Sequence, residues 1–254
     1  METGLEGKVV LVTGGAGGIG QAICRKFAEE GANVAVHFYT SSEEAESLAK
    51  EIGGFAVRAD LRVPSQADEM VAEVISKMGN IDVCVANSGS YPTEPKPMWE
   101  IDEGRWNSTI MSNLGVAANT SRSFLSHASS RGSGSLVLVG STAGVYGEAG
   151  HSDYAAAKGA ITTGLLLSLK NEVSHLGSVR VNAVAPGWTL TQKKVETGLD
   201  EGVMERAKST MALKKLATPN DVAMAIIYLS SEEVAGHITG EVIEVAGGME
   251  GRLV

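Results

Sequence analysis

A tyrosine and a lysine four residues apart, Tyr154 and Lys158, follow a serine at position 141. Moving a proton on and off an alcohol or carbonyl oxygen needs a donor within reach of that oxygen and stabilisation of the alkoxide that develops. A free phenol titrates near ~10 and is a poor base at neutral pH. A lysine at i+4 lies on the same helical face, and its charge favours the phenolate. The three intervening alanines keep the helix regular. Near the N-terminus stands a glycine-rich turn, Thr13-Gly14-Gly15-Ala16-Gly17-Gly18-Ile19-Gly20. It fits G-x-G-x-x-G through Gly15, Gly17 and Gly20, and Thr-Gly-x-x-x-Gly-x-Gly through Thr13, Gly14, Gly18 and Gly20. Such a turn lets a dinucleotide pyrophosphate approach the backbone, where a helix N-terminus offers amides and a positive dipole end. Alone, each pattern is weak, since chance puts Tyr-x-x-x-Lys on helices and glycine turns also serve structure. Together they predict an oxidoreductase that exchanges a hydride between NAD(P)(H) and a secondary alcohol or ketone carbon.

A carboxylate about 20 residues past such a turn binds the ribose 2′-OH of NAD. Here that region reads His37-Phe38-Tyr39-Thr40-Ser41-Ser42, with no carboxylate to repel a 2′-phosphate. The hydroxyls of Thr40, Ser41 and Ser42 could donate to one, so NADP(H) is favoured. No Arg or Lys occurs in the segment, which leaves NAD(H) open.

The elements that must hold these groups are legible as short apolar runs alternating with helical patterns. Strands are predicted at Lys8–Val12, Asn33–Phe38, Phe55–Ala59, Ile81–Ala86, Ser135–Val139, Val179–Val184 and Glu241–Val245. Their valine-rich runs lack polar alternation, as strands buried on both faces do. Helices are predicted at Gly18–Glu30, closed by Gly31, then from Ser41 or Ser42. Others span Ser65–Met78, roughly Arg105–Ser130, Asp153–His175 and Asn220–Leu229. This order predicts α/β architecture: one Rossmann domain over 1–254 with a doubly wound, seven-stranded parallel sheet. The stretch from Gly187 to about Leu216 is too long for a tight βα loop and follows a strand's C-terminal end, so it is expected to be a substrate lid. Within it Lys193, Lys194, Glu196 and Met204 are expected to set substrate choice.

Composition narrows the classes. The chain has 254 residues, 43% hydrophobic and 20% charged, enough for a substantial core. A net charge of −9 argues against nucleic-acid and membrane partners. Cys24 and Cys84, in a helical and a strand pattern, have neither disulfide nor metal-ligand spacing and suit a reducing compartment. No signal peptide and no run of ~20 apolar residues is seen, so a cytoplasmic protein without a metal is expected.

With Ser141 just after the run Ser135–Val139, the chain from Gly7 to about Met249 resembles the short-chain dehydrogenase/reductase family. The subgroup is that of about 250 residues containing 3-oxoacyl-carrier-protein reductases and glucose and alcohol dehydrogenases. Besides the turn and Tyr154–Lys158, matching segments are Asp60-Leu61, Asn87-Ser88-Gly89, Asn113-Leu114, Gly140-Ser141, Arg180-Val181-Asn182, Pro186-Gly187 and Gly247-Gly248. The resemblance implies that Tyr154 is the general acid/base and that Ser141 binds the substrate oxygen. It implies that Lys158 binds the nicotinamide ribose and depresses the tyrosine pKa, while Asn113 holds a relay water. It also implies cofactor contacts from Gly14, Gly18, Ile19, Gly20, Asp60, Leu61, Asn87, Gly89, Tyr154, Lys158, Pro186, Gly187, Thr189 and Thr191. Two departures are Ala86 before Asn87 and Ala246 before the last glycine pair. Plainer structural roles exist for Asn113 (bonding backbone where its helix distorts), Asp60 (a solvated strand end or cap), Ser141 (a loop hydroxyl), His151 (an exposed loop histidine) and Trp188 (core or lid packing).

The resemblance leaves the substrate open. Reduction of 3-oxoacyl groups on a carrier protein is the alternative to a free alcohol, sugar or carbonyl substrate. Acidic carriers would be repelled by this chain, and an arginine usual in carrier-protein reductases is absent where Lys170-Asn171 stand. A nucleotide-binding regulator without turnover is the non-enzymatic alternative, which four intact catalytic positions disfavour. A hydrolase lacks its G-x-S-x-G elbow, and a sugar-nucleotide epimerase would need a longer C-terminal part. The resemblance implies a homotetramer built on the helices near Arg105–Ser130 and Asp153–His175. The small residues Ala155, Ala156, Ala157, Gly159 and Ala160 would allow close helix approach, between subunits or within one.

Overall fold

The computed structural model describes residues 2–198 and 201–249. The strands are β1 (Val9–Val12), β2 (Asn33–Phe38), β3 (Phe55–Arg58), β4 (Val83–Ala86), β5 (Ser133–Val139), β6 (Ser178–Pro186) and β7 (Val242–Val245). They pair into one parallel sheet in the order β3-β2-β1-β4-β5-β6-β7. The chain winds outward from β1 to β3, then crosses back to β4 on the other side of β1. That reversal opens a crevice above the C-terminal ends of β1 and β4, where ligands bind in such sheets.

The even distribution of valine along the strands has a direct cause. Val9 and Leu11 enter one core with Met70 and Val74 of α3 (Pro64–Met78) and Phe124 of α5 (Val116–Arg131). Val10 and Val12 enter the opposite core with Ile23 and Phe27 of α1 (Gly18–Glu29) and Ile226 of α11 (Pro219–Ser230). β5 divides the same way, with Leu136 and Leu138 on one side and Val137 and Val139 on the other. Every residue of the central strands β1 and β4 is buried whichever way it points, so no polar alternation survives there. Gly31 follows α1 at φ +78°, a left-handed conformation that ends the helix as its position predicts.

Elsewhere α2 (Ser42–Ile52) follows β2, and the structure departs from expectation in three places. The first long helix is α4 (Glu103–Ile110) joined to α5 through a π turn, Met111–Gly115. The second is α7 (Ser152–Ala160) joined to α8 (Leu166–Glu172) through a π turn, Ile161–Leu165. Side chains take up carbonyls there. Asn113 Nδ2 donates to Thr109 O at 3.0 Å, and the Thr162 and Thr163 hydroxyls donate to Lys158 O and Gly159 O at 3.2 and 2.7 Å. A short helix, α6 (Thr142–Tyr146), also follows β5.

The third departure lies between β6 and α11, where the expected loop carries α9 (Gln192–Thr197) and α10 (Glu201–Ser209). Its base is closed by Leu190 N donating to Ala217 O at 2.8 Å and Ala217 N donating to Trp188 O at 3.0 Å. Trp188 is half-buried at this base. The side chains of Lys193 and Lys194 lie outside the described residues, as do 199, 200 and 250–254. Among the described residues no helix is long and apolar enough to cross a membrane. Cys24 and Cys84 are buried free thiols, and burial pushes Cys24 up to about 12.

Candidate active site

A cleft of about 640 Å³ lies above the C-terminal ends of β1, β2 and β4. Gly14, Gly18, Ile19 and Gly20 form its floor. Gly14 sits at φ +63°, and a Cβ on Gly20 would fall 2.1 Å from Gly14 O. Only glycines permit this return of the chain onto the start of α1, whose first-turn amides are left without intrahelical acceptors. Thr13 and Asn87 knit the floor to β4. Asn87 N and Ser88 N donate to Thr13 Oγ1 at 3.0 and 3.1 Å, and Asn87 Nδ2 donates to Thr13 O at 2.9 Å. The departure at Ala86 therefore leaves the joint between β1 and β4 intact.

His37 supplies a strut that the sequence did not flag. Its Nε2 faces Ala59 O at 3.0 Å, and its Nδ1 accepts from Gly14 N at 3.0 Å. A carbonyl cannot donate, so Nε2 carries the proton and the ring is neutral. Burial pushes its pKa down to about 4, against the raising effect of the Ala59 carbonyl. The only signal in the sequence was a polar residue inside an otherwise apolar strand.

At the ribose end Thr40, Ser41, Asp60 and Leu61 line the cleft. No hydrogen bond of the Thr40 or Ser41 hydroxyl occurs among the described residues, whereas Ser42 donates to Glu46 Oε1 at 3.0 Å and does not line the cleft. The expectation of no basic group here is corrected: Arg62 lines the same wall. β2 and β3 are parallel neighbours with Phe38 opposite Arg58, so residues following β3 reach the end of β2. The Arg62 guanidinium lies 5.0 Å from the centroid of the Tyr39 ring and bonds Asp60 Oδ1 and Oδ2 at 2.8 and 2.7 Å. Its Nη2 also donates to the Tyr39 hydroxyl at 3.0 Å. Arg62, first among several causes, holds the Asp60 carboxyl below the usual range. Asp60 thus has a partner that its expected cofactor contact did not include.

The cleft ends at Gly89, Ser90 and Ser112, and beyond Gly89 lie the four candidate catalytic residues. A Cβ at Gly89 would come 2.7 Å from Asn113 Oδ1 and 3.3 Å from Lys158 Nζ, so both atoms face the same point. Lys158 is buried, its Nζ donates to Val139 O at 2.9 Å, and burial lowers its pKa to about 8. Asn113 Nδ2 donates to Ser90 O at 2.8 Å and to Thr109 O, while Asn113 Oδ1 is buried with no partner among the described residues. The helix-bonding role and a vacant acceptor therefore coexist in one side chain.

Ser141 caps α6, its Oγ accepting from Ala143 N at 3.2 Å. α6 reaches α7 because Gly144 has no side chain: a Cβ there would meet Gly159 N at 2.4 Å. Gly159 thus serves packing within the subunit. This contact brings Ser141 to Tyr154. Burial raises the Tyr154 pKa, the Ser141 hydroxyl lowers it, and the Glu148 charge raises it further. The Lys158 amine donates to Val139 O, and its Nζ lies 5.8 Å from the Tyr154 ring centroid. His151 is corrected too. It is buried at 6% exposure and bonded between Pro92 and Tyr91.

Pro186 ends β6, Gly187 and Thr189 follow it, and none of the three lines the cleft. A Cβ on Gly187 would lie 3.1 Å from Ala246 Cβ, so the small residue at 246 is the one that packs here. Thr189 is buried, with its hydroxyl donating to Gly187 O at 3.0 Å. Thr191 does line the cleft, and a Cβ on Gly18 would overlap it at 2.8 Å. The base of the predicted lid therefore rests on the glycine turn.

Comparison with known proteins agrees with this geometry. Residues 8–202 match the family model described as short chain dehydrogenase. The chain is 35% identical to 3-oxoacyl-[acyl-carrier-protein] reductase FabG of Thermotoga maritima, over 96% of this chain and 98% of that one. It is 32% identical to FabG of Staphylococcus epidermidis, over 95% and 98%. Nodulation protein G of Azospirillum brasilense is 31% identical over the same shares. The chain belongs to the short-chain dehydrogenase family and is an oxidoreductase acting on a CH–OH or carbonyl carbon with NAD(P).

Proposed function

We propose that this protein exchanges a hydride between NADP(H) and a secondary alcohol/ketone pair, with 3-oxoacyl thioesters as the first substrate class to test. The observation that carries the reading is the buried Lys158 amine and the half-buried Tyr154 beyond the Gly89 end of a glycine-floored cleft. The cleft fits a dinucleotide: the α1 amides and Gly14, Gly18 and Gly20 would hold its pyrophosphate, Asn87 and Gly89 its ribose. When bound, its nicotinamide supplies or accepts the hydride. Thr40, Ser41 and Arg62 at the ribose end support a 2′-phosphate, since Arg62 Nη1 makes no hydrogen bond among the described residues.

In the reductive direction the phenolic oxygen of Tyr154 gives its proton to the substrate oxygen, which Ser141 Oγ also bonds. Lys158 Nζ has a pKa lowered to about 8, so it exchanges a proton readily near neutral pH. The vacant Asn113 Oδ1 beside it suits a water that links Lys158 to solvent. The single domain carries a substrate lid at about 187–216. Met111 and Leu167, each 44% exposed on the two interrupted helices, support a homotetramer, and a monomeric mass in solution contradicts it.

The 3-oxoacyl class is supported by the names of the FabG relatives, while a net charge of −9 works against an acidic carrier. Titrating NADPH and NADH separately, then assaying a 3-oxoacyl group on carrier protein, the same group on a small thiol, and unrelated ketones, tests each part. Tyr154→Phe is expected to keep cofactor binding and lose turnover. Cofactor binding with no turnover by the wild type on any carbonyl would leave a nucleotide-binding protein instead.

A further inference from the structure

Beside the catalytic tyrosine, three polar side chains close on one another. The loop between α6 and α7 turns through two left-handed glycines, Gly147 at φ +77° and Gly150 at φ +85°. That path curls Glu148 and His151 onto Tyr91 in the loop that follows β4. The Tyr91 hydroxyl donates to Glu148 Oε1 at 2.5 Å and lies 3.2 Å from His151 Nδ1. Its ring stacks on His151, centroids 4.5 Å apart and planes 25° apart. The Tyr91 ring also meets Tyr154 in a T-shaped contact, at 5.0 Å and 83°. His151 Nε2 faces Pro92 O at 3.1 Å.

Counting protons gives this cluster its character. Pro92 O can only accept, so His151 Nε2 carries a hydrogen. The one hydroxyl hydrogen of Tyr91 goes to Glu148 at the shorter distance. Tyr91 Oη can then only accept from His151, which requires a hydrogen on Nδ1 as well. With Glu148 as a carboxylate, the contact set is complete only when His151 is an imidazolium, giving the chain carboxylate, phenol, imidazolium. Without that proton, Nδ1 and Oη face each other as two lone pairs, or the hydroxyl abandons Glu148.

We infer that Glu148, Tyr91 and His151 form a proton-locked clamp that fixes the Tyr91 ring against Tyr154, making them positioning residues for the reaction. The other charges around the clamp are Arg105, Asp153 and Glu94. Arg105 donates to Gly150 O at 3.3 Å, to Glu94 O at 2.7 Å and to Asp153, which neutralises it. Glu148 is therefore the carboxylate that faces the histidine, at 3.7 Å. Burial first, and the Glu148 charge after it, raise the Tyr91 and Tyr154 pKa values. The inference rests on Tyr154 being the acid/base only for its effect on turnover.

The test has two arms. Nitrogen-15 solid-state spectra of histidine-labelled protein, with His151→Gln to assign the signal, read the protonation of this ring among the five histidines. Tyr91→Phe and Glu148→Gln each remove one link, and each is expected to lower the His151 midpoint by about one pH unit, a tenfold loss of proton affinity. Equal midpoints in wild type and both variants overturn the lock. In the second arm the pH dependence of kcat and KM is measured. A wild-type limb that follows the His151 midpoint, moves in Tyr91→Phe and vanishes in His151→Gln is expected. Shifted midpoints with unchanged pH profiles overturn the action on Tyr154. A wild type without turnover counts against the acid/base reading, while the spectra still decide the clamp.

Discussion

Asn113 offers the sharpest test, because one buried side chain has two used donors and one unused acceptor. In Asn113→Leu the carbonyls of Thr109 and Ser90 lose their donor. The Thr109 bond is buried and its loss costs ~1–3 kcal/mol, whereas the Ser90 bond is part-buried and its loss costs ~0.5–1.5 kcal/mol. Against this, the partnerless Oδ1 disappears, and with it ~1–3 kcal/mol of uncompensated desolvation. The terms nearly cancel, leaving a net loss of ~1 kcal/mol, which in a domain of this size lowers Tm by ~2–4 °C. Asn113→Asp, closer in shape, is expected to be the more damaging change, since it turns both donors into an acceptor facing two carbonyls. Reversible thermal unfolding of the two variants gives the order. NADPH titration and turnover give the function: Asn113→Leu should bind the cofactor within ~3-fold of wild type and lose at least ~100-fold in kcat, the lower range for a proton-transfer group. Leucine proving as destabilising as aspartate would refute the desolvation argument. Wild-type turnover in the leucine variant would refute a role for Oδ1 beside Lys158.

Three further outcomes are expected. Arg62→Ala should weaken NADPH by about tenfold and NADH little, read by fluorescence titration, if Arg62 meets a 2′-phosphate; equal losses for both cofactors contradict that. Because His37 is pushed down to about 4 from 6.5, the unfolded chain binds its proton first as pH falls. Stability contributed by the neutral ring is full above 6.5 and is lost progressively down to about 4, by ~3 kcal/mol in all. Denaturant melts across that range should show this slope in wild type and a flatter one in His37→Asn. Gly144→Ala drives a Cβ into the Gly159 backbone, so α6 must shift from α7. Turnover should fall far more than cofactor affinity, because Ser141 moves relative to Tyr154 while the glycine turn does not.

Much of the fold was legible because its signals are local. Valine runs mark strands buried on both faces, and the glycine spacing marks the one turn that a Cβ at Gly20 would forbid. Residues in sequence contact, such as Tyr154 and Lys158, were likewise readable. What escaped was set by long-range pairing. Arg62 reaches the ribose end only because β3 lies beside β2 in register, and His151 is buried only because a distant loop brings Tyr91 over it. Nor does spacing alone report the direction in which an amine points. Lys158 donates to Val139 O, a partner that the i+4 spacing does not announce. The π turns were invisible because their residues, Met111–Gly115 and Ile161–Leu165, carry no proline to mark them within the long helical segments.

Those π turns bear on which insertions and deletions the chain tolerates. An α-helix rotates about 100° per residue, so one residue added or removed swings everything downstream onto another face. A π turn is the scar of such an added residue, absorbed in one wide turn while the segments on both sides keep their facing. Lys158, before the second π turn, stays aimed at Gly89, and Leu166, after it, is fully buried in the core. Deleting one residue within 161–165 should close the turn into plain α-helix and leave both faces in phase. The same deletion within 166–172 should rotate the end of α8 away from β6. Length polymorphism in this helix is therefore expected to concentrate in a single turn, a few residues from the chemistry.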